Sequence, residues 1–225
     1  MNFFNVIRWI AWKDLLSEIR SRESISSMFF FALIVILIFS FSFSMDQQTA
    51  RLMMPGIMWV AFVFTGMIGL GKSFLVELQN DCLENLQISP ASKGAIYLGK
   101  TLSNLLLMVI VEMILFPLFV IFFNLDVLDK IPMLMLIFLT GSIGLASVGT
   151  LFSAMTVQIR AREVMLPMLL LPLIVPVMIG AVEATGGVIN GDAVTLYRPW
   201  LELLVVFDLI FTVVSFWVFD FVLDD

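Results

Sequence analysis

The chain has 225 residues, of which 61% are hydrophobic and 13% are charged, and its mean hydropathy is +1.08. Soluble domains are about 45–50% apolar and about 25% charged, so this composition excludes a soluble globular protein and indicates one integral membrane domain. The chain has no histidine and a single cysteine, which excludes histidine ligands, C-x-x-C redox motifs and intramolecular disulfides. The net charge of −6 argues against a nucleic-acid partner.

Residues 1–24 mix charged and apolar side chains, which is unlike the separated basic and apolar regions of a cleaved signal peptide. Their pattern predicts an amphipathic helix that lies in the membrane interface, with Trp9 and Trp12 at headgroup depth. The alternative is a basic flank that only anchors the first span. The apolar face of the predicted helix consists of Phe4, Ile7, Trp12, Leu15, Leu16 and Ile19.

Six segments are long and apolar enough to cross a bilayer, which takes about 20 residues for a hydrocarbon core of about 30 Å. They cover approximately residues 25–44, 52–71, 101–123, 131–157, 164–183 and 201–219. We therefore expect residues 25–225 to form an all-α domain of six transmembrane helices.

The distribution of lysine and arginine predicts the orientation of these helices. Nine basic residues fall on one side of the membrane and three on the other, so the positive-inside rule places both termini in the cytoplasm. The nine are Arg8, Lys13, Arg20, Arg22, Lys72, Lys93, Lys100, Arg160 and Arg162, and the three are Arg51, Lys130 and Arg198.

The stretch "GMIGLGKS", from Gly66 to Ser73, matches the phosphate-binding pattern G-x-x-x-x-G-K-[ST]. That pattern binds phosphate only when it follows a strand and opens a helix. Here it ends an apolar run that is needed at full length to cross the bilayer, and an open loop there would leave amides unpaired in hydrocarbon. The same objection applies to "LLVVFD", which ends at Asp208 inside another span. We predict close helix packing at the glycines and no ATP binding by either stretch.

The loop after the second span, at about residues 76–92, carries the most specific signal. Its sequence "VELQNDCLENLQISP" places Glu77, Asp81 and Glu84 on one face of a short helix, and Pro90 follows as a stop. A short helix with an acidic face and several leucines can dock in a groove on a partner protein.

The continuation of this loop, "ENLQISPASKGAIYLGK", resembles the loop of type-2 ABC transporter permeases, in which Glu-x-Leu-x-x-(Ser/Thr)-Pro precedes a Gly-Lys pair. The matching residues are Glu84, Leu86, Ser89, Pro90, Gly99 and Lys100. Three other stretches narrow the resemblance: "KDLLSEIRSRE", "GLASVGTLFSAMTVQIRAREVMLPMLLLPLIVPVMIGAVEAT" and "WLELLVVFDLIFTVVSFWVFDFVLDD". Together they are similar, over nearly the whole chain, to the CcmB permeases of cytochrome c maturation.

The resemblance implies a multi-pass protein of the bacterial inner membrane that has no ATPase site of its own. It implies a dimer with a second copy of the chain, two copies of a cytoplasmic ABC ATPase, a haem-handling membrane subunit and a periplasmic haem chaperone. ATP and magnesium would be bound by the ATPase and haem by the associated subunits, and ATP hydrolysis would drive haem export or release of the haem-loaded chaperone. The implied ATPase contacts are Glu77, Asp81, Glu84, Leu86 and Pro90 in the first loop, with Arg160, Arg162 and Glu163 in the second.

Polar residues and prolines inside the spans remain open to two interpretations each. Glu112 and Asp208 could form a polar path or a helix-to-helix hydrogen bond, or they could be protonated acids bonded to nearby backbone. In a stand-alone secondary transporter or channel, which is the alternative function, they would be the transport residues. Pro167, Pro172 and Pro176 should kink or break the fifth span, as a hinge or as a static bend.

Overall fold

The computed structural model describes residues 3–42, 47–80, 82, 91–125 and 127–222, and within those ranges the chain forms helices joined by short turns. The helices are α1 (Phe3–Ser21), α2 (Glu23–Ser42), α3 (Gln47–Ser73), α4 (Leu75–Gln79), α5 (Lys93–Phe122), α6 (Ile131–Thr156), α7 (Arg162–Asn190) and α8 (Val194–Val222), with a 3₁₀ turn at Leu128–Lys130. Six of them, α2, α3, α5, α6, α7 and α8, are long and apolar enough to cross a membrane.

The six predicted spans are therefore confirmed, although several helices are longer than predicted. Helix α5 begins at Lys93 rather than near Thr101, and α7 continues to Asn190 rather than ending near Glu183. A helix satisfies its own backbone hydrogen bonds, so it can continue beyond the hydrocarbon core at no cost in unpaired groups. The membrane position of α1 and the direction in which the spans cross the bilayer remain predictions.

A tight elbow joins α1 to α2 at Arg22. This residue has a φ of 56°, a left-handed conformation that costs a non-glycine residue roughly 1–2 kcal/mol. The elbow is held by Glu18, whose carboxylate accepts a hydrogen bond of 3.0 Å from the backbone N–H of Ser24 at the start of α2. The direction of α1 is thus set locally, and α1 then packs along α5.

The core lies around α3 and α6, which contact each other and most of the other spans. Trp59 of α3 is fully buried, stacks edge to face on Phe62 and Phe138, and donates a 2.9 Å hydrogen bond to the hydroxyl of Thr185 in α7. Gly141 of α6 faces the Trp59 ring so closely that a Cβ atom at this position would collide with it. The small residue at this position therefore allows α6 to pack closely against α3.

Replacing Thr185 by valine is expected to lower the free energy of unfolding by about 1 kcal/mol, because the Trp59 indole N–H then loses its acceptor inside the bundle. Denaturant titration in detergent would measure this loss. The control is Thr140→Val, since the Thr140 hydroxyl bonds only to carbonyls of its own helix. Equal losses in the two variants would show that the interhelical bond contributes nothing specific.

The stretch from Gly66 to Ser73 lies within α3, so the prediction that it is helical is confirmed. Its backbone amides are used inside the helix and cannot converge on a phosphate. Gly66 allows close contact with Leu145 and Met108, and Gly69 lies against Met28.

Helix α7 contains Pro167, Pro172 and Pro176 and is continuous from Arg162 to Asn190. Of the predicted kink or break at these prolines, the break is therefore excluded, and the kink remains a prediction. Membrane helices tolerate proline because neighbouring helices and small local adjustments satisfy the freed carbonyl groups. A hinge role for the three prolines remains a prediction.

Candidate functional site

Three elements that are far apart in the sequence meet at one end of the bundle. Helix α1 contributes Lys13 and Asp14, the short α4 contributes Glu77, and the first third of α5 contributes Lys100. We call these four residues the ion-pair cluster. Helix α4 follows α3 with only Phe74 between them, so Glu77 stands where the predicted docking loop begins.

The ion-pair cluster forms a closed ring of four contacts. Nζ of Lys13 lies 2.9 Å from Asp14 Oδ1 and 3.0 Å from Glu77 Oε1. Nζ of Lys100 lies 2.5 Å from the same Glu77 oxygen and 2.9 Å from Asp14 Oδ2. Each lysine therefore bridges the same two carboxylates, and the cluster has no net charge. Removing any one member breaks two of the four contacts.

Two members of the ion-pair cluster are buried, with Lys100 only 1% and Glu77 only 5% exposed, while the Lys13 side chain is 59% exposed. Buried charges are costly unless they are paired and hydrogen-bonded. Lys100 meets this need with a further 2.9 Å hydrogen bond to the carbonyl of Ser73, and its ammonium group lies 5.0 Å from the centre of the Phe74 ring. The ammonium group is thus surrounded by the end of α3 as well as by α1 and α4.

Lys13 is the more exposed cation, and its environment still favours the charged form. Burial by itself would lower the pKa of Lys13, but Asp14 and Glu77 outweigh that effect and raise the pKa above its ordinary value. A raised lysine pKa contributes stability below the unfolded-state pKa, and this contribution is lost only as the pH rises through the folded-state value. Lys13 is therefore charged at neutral pH.

A second polar contact extends this region to α6. The side-chain amide of Asn104 on α5 donates hydrogen bonds to the hydroxyls of Ser73, at 3.0 Å, and Thr150, at 2.9 Å. A cavity of about 40 Å³ adjoins both the cluster and Asn104, which is enough room for a water molecule. Four helices and α4 are therefore connected by polar side chains at this end of the bundle.

Gly99 explains how α1 comes so close to α5. A Cβ atom at this position would lie 2.8 Å from Cβ of Ile10 and 3.2 Å from the carbonyl oxygen of Ile7. These are parts of α1 that cannot rotate away, so any larger residue would push α1 outward. Gly99 therefore leaves room for α1 beside α5, and Lys100 binds α1 through Asp14.

The structure corrects the prediction for Glu77. The i, i+4 and i+7 spacing of acids suggested an exposed face, but the Glu77 carboxylate is buried against two lysines and is not a surface contact. The other four residues predicted for the docking loop lie outside the described residues. They are Asp81, Glu84, Leu86 and Pro90.

The second predicted loop lies at the turn between α6 and α7. Arg160 and Glu163 are exposed there, and Arg162, the first residue of α7, is half-buried. These side chains are available to a partner, and their role stays a prediction.

The two intramembrane acids face the protein interior and lie apart from the ion-pair cluster. Glu112 accepts a 2.5 Å hydrogen bond from the hydroxyl of Ser142, which joins α5 to α6. Asp208 is buried on α8 beside Gly144, and its Oδ1 has no hydrogen-bond partner among the described residues. Glu112 lies about 18 Å further along α5 than Lys100, at 1.5 Å per residue. A helix-to-helix hydrogen bond is thus present at Glu112.

Sequence reasoning missed Asp14 and Asn104 and did not assign a pairing role to Lys13. No sequence signal existed for Asp14, because only the fold decides which face of α1 packs against α5. The same holds for Asn104, because its partners Ser73 and Thr150 belong to other helices.

Comparison with known proteins places this chain in a family. A family model described as "CcmB protein" matches residues 1–222. The chain belongs to the CcmB family. Three relatives are named Heme exporter protein B. The protein from Pseudomonas aeruginosa is 29% identical over 169 residues, which cover 74% of this chain and 75% of the relative. The protein from Haemophilus influenzae is 28% identical over 189 residues, or 83% of each chain. The protein from Rhodobacter capsulatus is 25% identical over 177 residues, covering 79% of this chain and 81% of the relative.

Membership of the CcmB family and the six apolar helices make this chain a multi-pass membrane protein. The family match includes all four residues of the ion-pair cluster and both predicted loops. The cluster is thus part of the CcmB domain and not of an added segment.

Proposed function

We propose that this CcmB protein is the membrane subunit of a haem-trafficking ABC transporter in cytochrome c biogenesis. It couples ATP hydrolysis on a separate subunit to haem export or to release of a haem-loaded chaperone. The observation that carries the proposal is the ion-pair cluster, which joins α4, at the start of the docking loop, to α1 and α5. The family membership and the names of the relatives supply the cargo.

The coupling follows from the connections of Glu77. A partner that moves the docking loop displaces α4, and Glu77 transmits this displacement to Lys13 of α1 and Lys100 of α5. Ion pairs shielded from water resist separation more strongly than exposed ones. The movement therefore reaches α5 as a whole and passes to α6 through the bonds of Asn104.

The proposed assembly has the loop end of the bundle in the cytoplasm, as the excess of lysine and arginine favours. Two ATPase copies dock there on the loops of two CcmB chains, and α1 lies in the membrane interface. A haem-handling membrane subunit and a periplasmic chaperone hold the haem, so the CcmB chain binds neither haem nor nucleotide itself. The chain acts mechanically and is not an enzyme.

Affinity purification of the tagged chain in mild detergent tests this assembly. We expect an ABC ATPase and a haem-handling membrane protein to co-purify, and Glu84→Lys to release the ATPase by reversing a charge in the docking loop. The control Glu183→Lys makes the same change at an exposed position near the far end of α7, and the ATPase should stay bound.

Recovery of neither partner from a folded preparation would overturn the proposal and favour the stand-alone transporter. That second function is supported by the burial of two acids, Glu112 and Asp208. In that case Glu112→Gln and Asp208→Asn should abolish transport, while deletion of residues 81–89, which spares Glu77, should leave it intact.

A further inference from the structure

The crossing of α1 over α5 leaves an open groove of about 550 Å³. Its walls include Phe4, Ile7 and Trp12 from α1 and Leu102 and Leu106 from α5. No member of the ion-pair cluster lines it. The groove is therefore a separate feature from the coupling site, although both depend on the position of α1.

The lining of the groove is apolar apart from Arg8. Leu102 and Leu106 begin a stripe of exposed apolar residues that continues along α5 through Met113 and Ile121. Helix α5 is long and apolar enough to cross a membrane, and on such a helix this stripe is suited to contact with lipid, onto whose hydrocarbon the groove would then open. An acyl chain can enter it without crossing any polar surface.

The acidic and basic residues of α1 differ in exposure, and this difference favours a negatively charged lipid headgroup. The acids Asp14 and Glu18 are turned inward, one in the ion-pair cluster and the other bonded to the N–H of Ser24. The bases Arg8 and Arg20 are exposed. The exposed charges of α1 are therefore basic, and basic side chains beside an apolar surface attract anionic lipids.

Arg8 stands at the edge of the groove. Its guanidinium lies 5.9 Å from the centre of the Trp9 ring, and none of the ion pairs among the described residues involves it. Trp9 and Trp12 are both about half exposed beside it, which is the usual setting of tryptophan at the headgroup level. The groove thus combines an apolar trough with one available guanidinium, the donor best suited to a phosphate.

We propose that this groove holds one anionic phospholipid, with its phosphate at Arg8 and an acyl chain against Trp12, Leu102 and Leu106. The lipid fills the space beside α1 that protein atoms leave open, and so it holds α1 against α5 from outside the ion-pair cluster. This inference does not depend on the identity of the ATPase or the cargo.

Native mass spectrometry of the full chain, purified from its own membrane with its bound partners, tests the site. We expect one phospholipid of anionic mass per chain to remain after detergent exchange. Arg8→Gln should reduce that occupancy about tenfold, since a charge-assisted bond to phosphate is lost. Leu106→Trp should reduce it similarly by filling the groove. The controls are Arg20→Gln, on the same helix but outside the groove, and Leu139→Trp, on an exposed position of α6.

Three outcomes would overturn the proposal: retention of no lipid by the wild-type chain, retention of zwitterionic lipid in equal amount, or equal losses in the controls and the groove variants. A photoreactive residue at position 106 that cross-links to protein instead of lipid would also overturn it, by assigning the groove to a partner. If a groove variant does not fold, fluorescence quenching tests the site instead of mass spectrometry of that variant. Brominated phosphatidylglycerol in vesicles should quench the wild-type chain more than Trp12→Phe, and brominated phosphatidylcholine should not distinguish them.

Discussion

Replacing Lys100 by methionine is expected to lower the free energy of unfolding by about 3–5 kcal/mol, the range measured when one partner of a buried ion pair is removed. The change leaves the Glu77 and Asp14 carboxylates facing each other with only Lys13 between them. It also removes the hydrogen bond to the Ser73 carbonyl. Denaturant titration of the purified chain in detergent would measure the loss.

The matched control is Lys72→Met, which removes a lysine from the same end of the bundle. Lys72 pairs with Glu23 at 2.9 Å, but the Glu23 side chain is 77% exposed, and solvent screens an exposed pair so that it contributes little to stability. The double variant Lys100→Met/Glu77→Gln should cost less than the sum of its two single changes, because it leaves one buried charge fewer. Similar losses for Lys100→Met and Lys72→Met would show that the ion-pair cluster does not hold this region together.

Lys100→Met also separates binding of the ATPase from coupling. In the assembled transporter we expect this variant to retain its ATPase and its ATP hydrolysis while production of mature c-type cytochrome is strongly reduced. Glu84→Lys should instead release the ATPase. If Lys100→Met released the ATPase as well, the ion-pair cluster would act by shaping the docking loop and not by transmitting its movement.

Replacing Gly99 by alanine is expected to lower the free energy of unfolding by about 1–3 kcal/mol, the usual cost of overpacking. The added methyl group would meet the Cβ of Ile10 and the carbonyl oxygen of Ile7, neither of which can rotate away. Helix α1 must then move off α5, which pulls Lys13 and Asp14 away from Lys100. We expect reduced cytochrome maturation in addition to the lower stability.

Gly56→Ala is the matched control for Gly99→Ala. Gly56 lies inside α3, and a Cβ atom there would have no neighbour within 4 Å. Alanine favours a helix interior over glycine by about 1 kcal/mol, so this variant should be neutral or more stable than the wild type. The two substitutions are chemically identical and should have opposite signs. A loss at both positions would point to a general effect of alanine and not to the approach of α1.

The apolar segments and the family signature were accessible from the sequence alone. Six spans could be counted because crossing hydrocarbon requires about 20 apolar residues in each, whatever the packing. The same requirement identified "GMIGLGKS" as helix rather than phosphate loop. A loop would leave backbone amides unpaired in hydrocarbon, which is strongly unfavourable in free energy. One loop motif and three further stretches of sequence were enough to recognise the CcmB family.

The partners of the charged residues were decided only by the tertiary structure. Glu77 meets Lys100 across 23 residues and Lys13 across 64 residues, so no local spacing could reveal either contact. The face of α1 that packs inward depends on the elbow at Arg22 and on the space above Gly99, and both are properties of the folded chain. Burial therefore decides the role of the Glu77 carboxylate. In water it would be available as a docking contact, whereas away from solvent, between two lysines, it forms a structural ion pair.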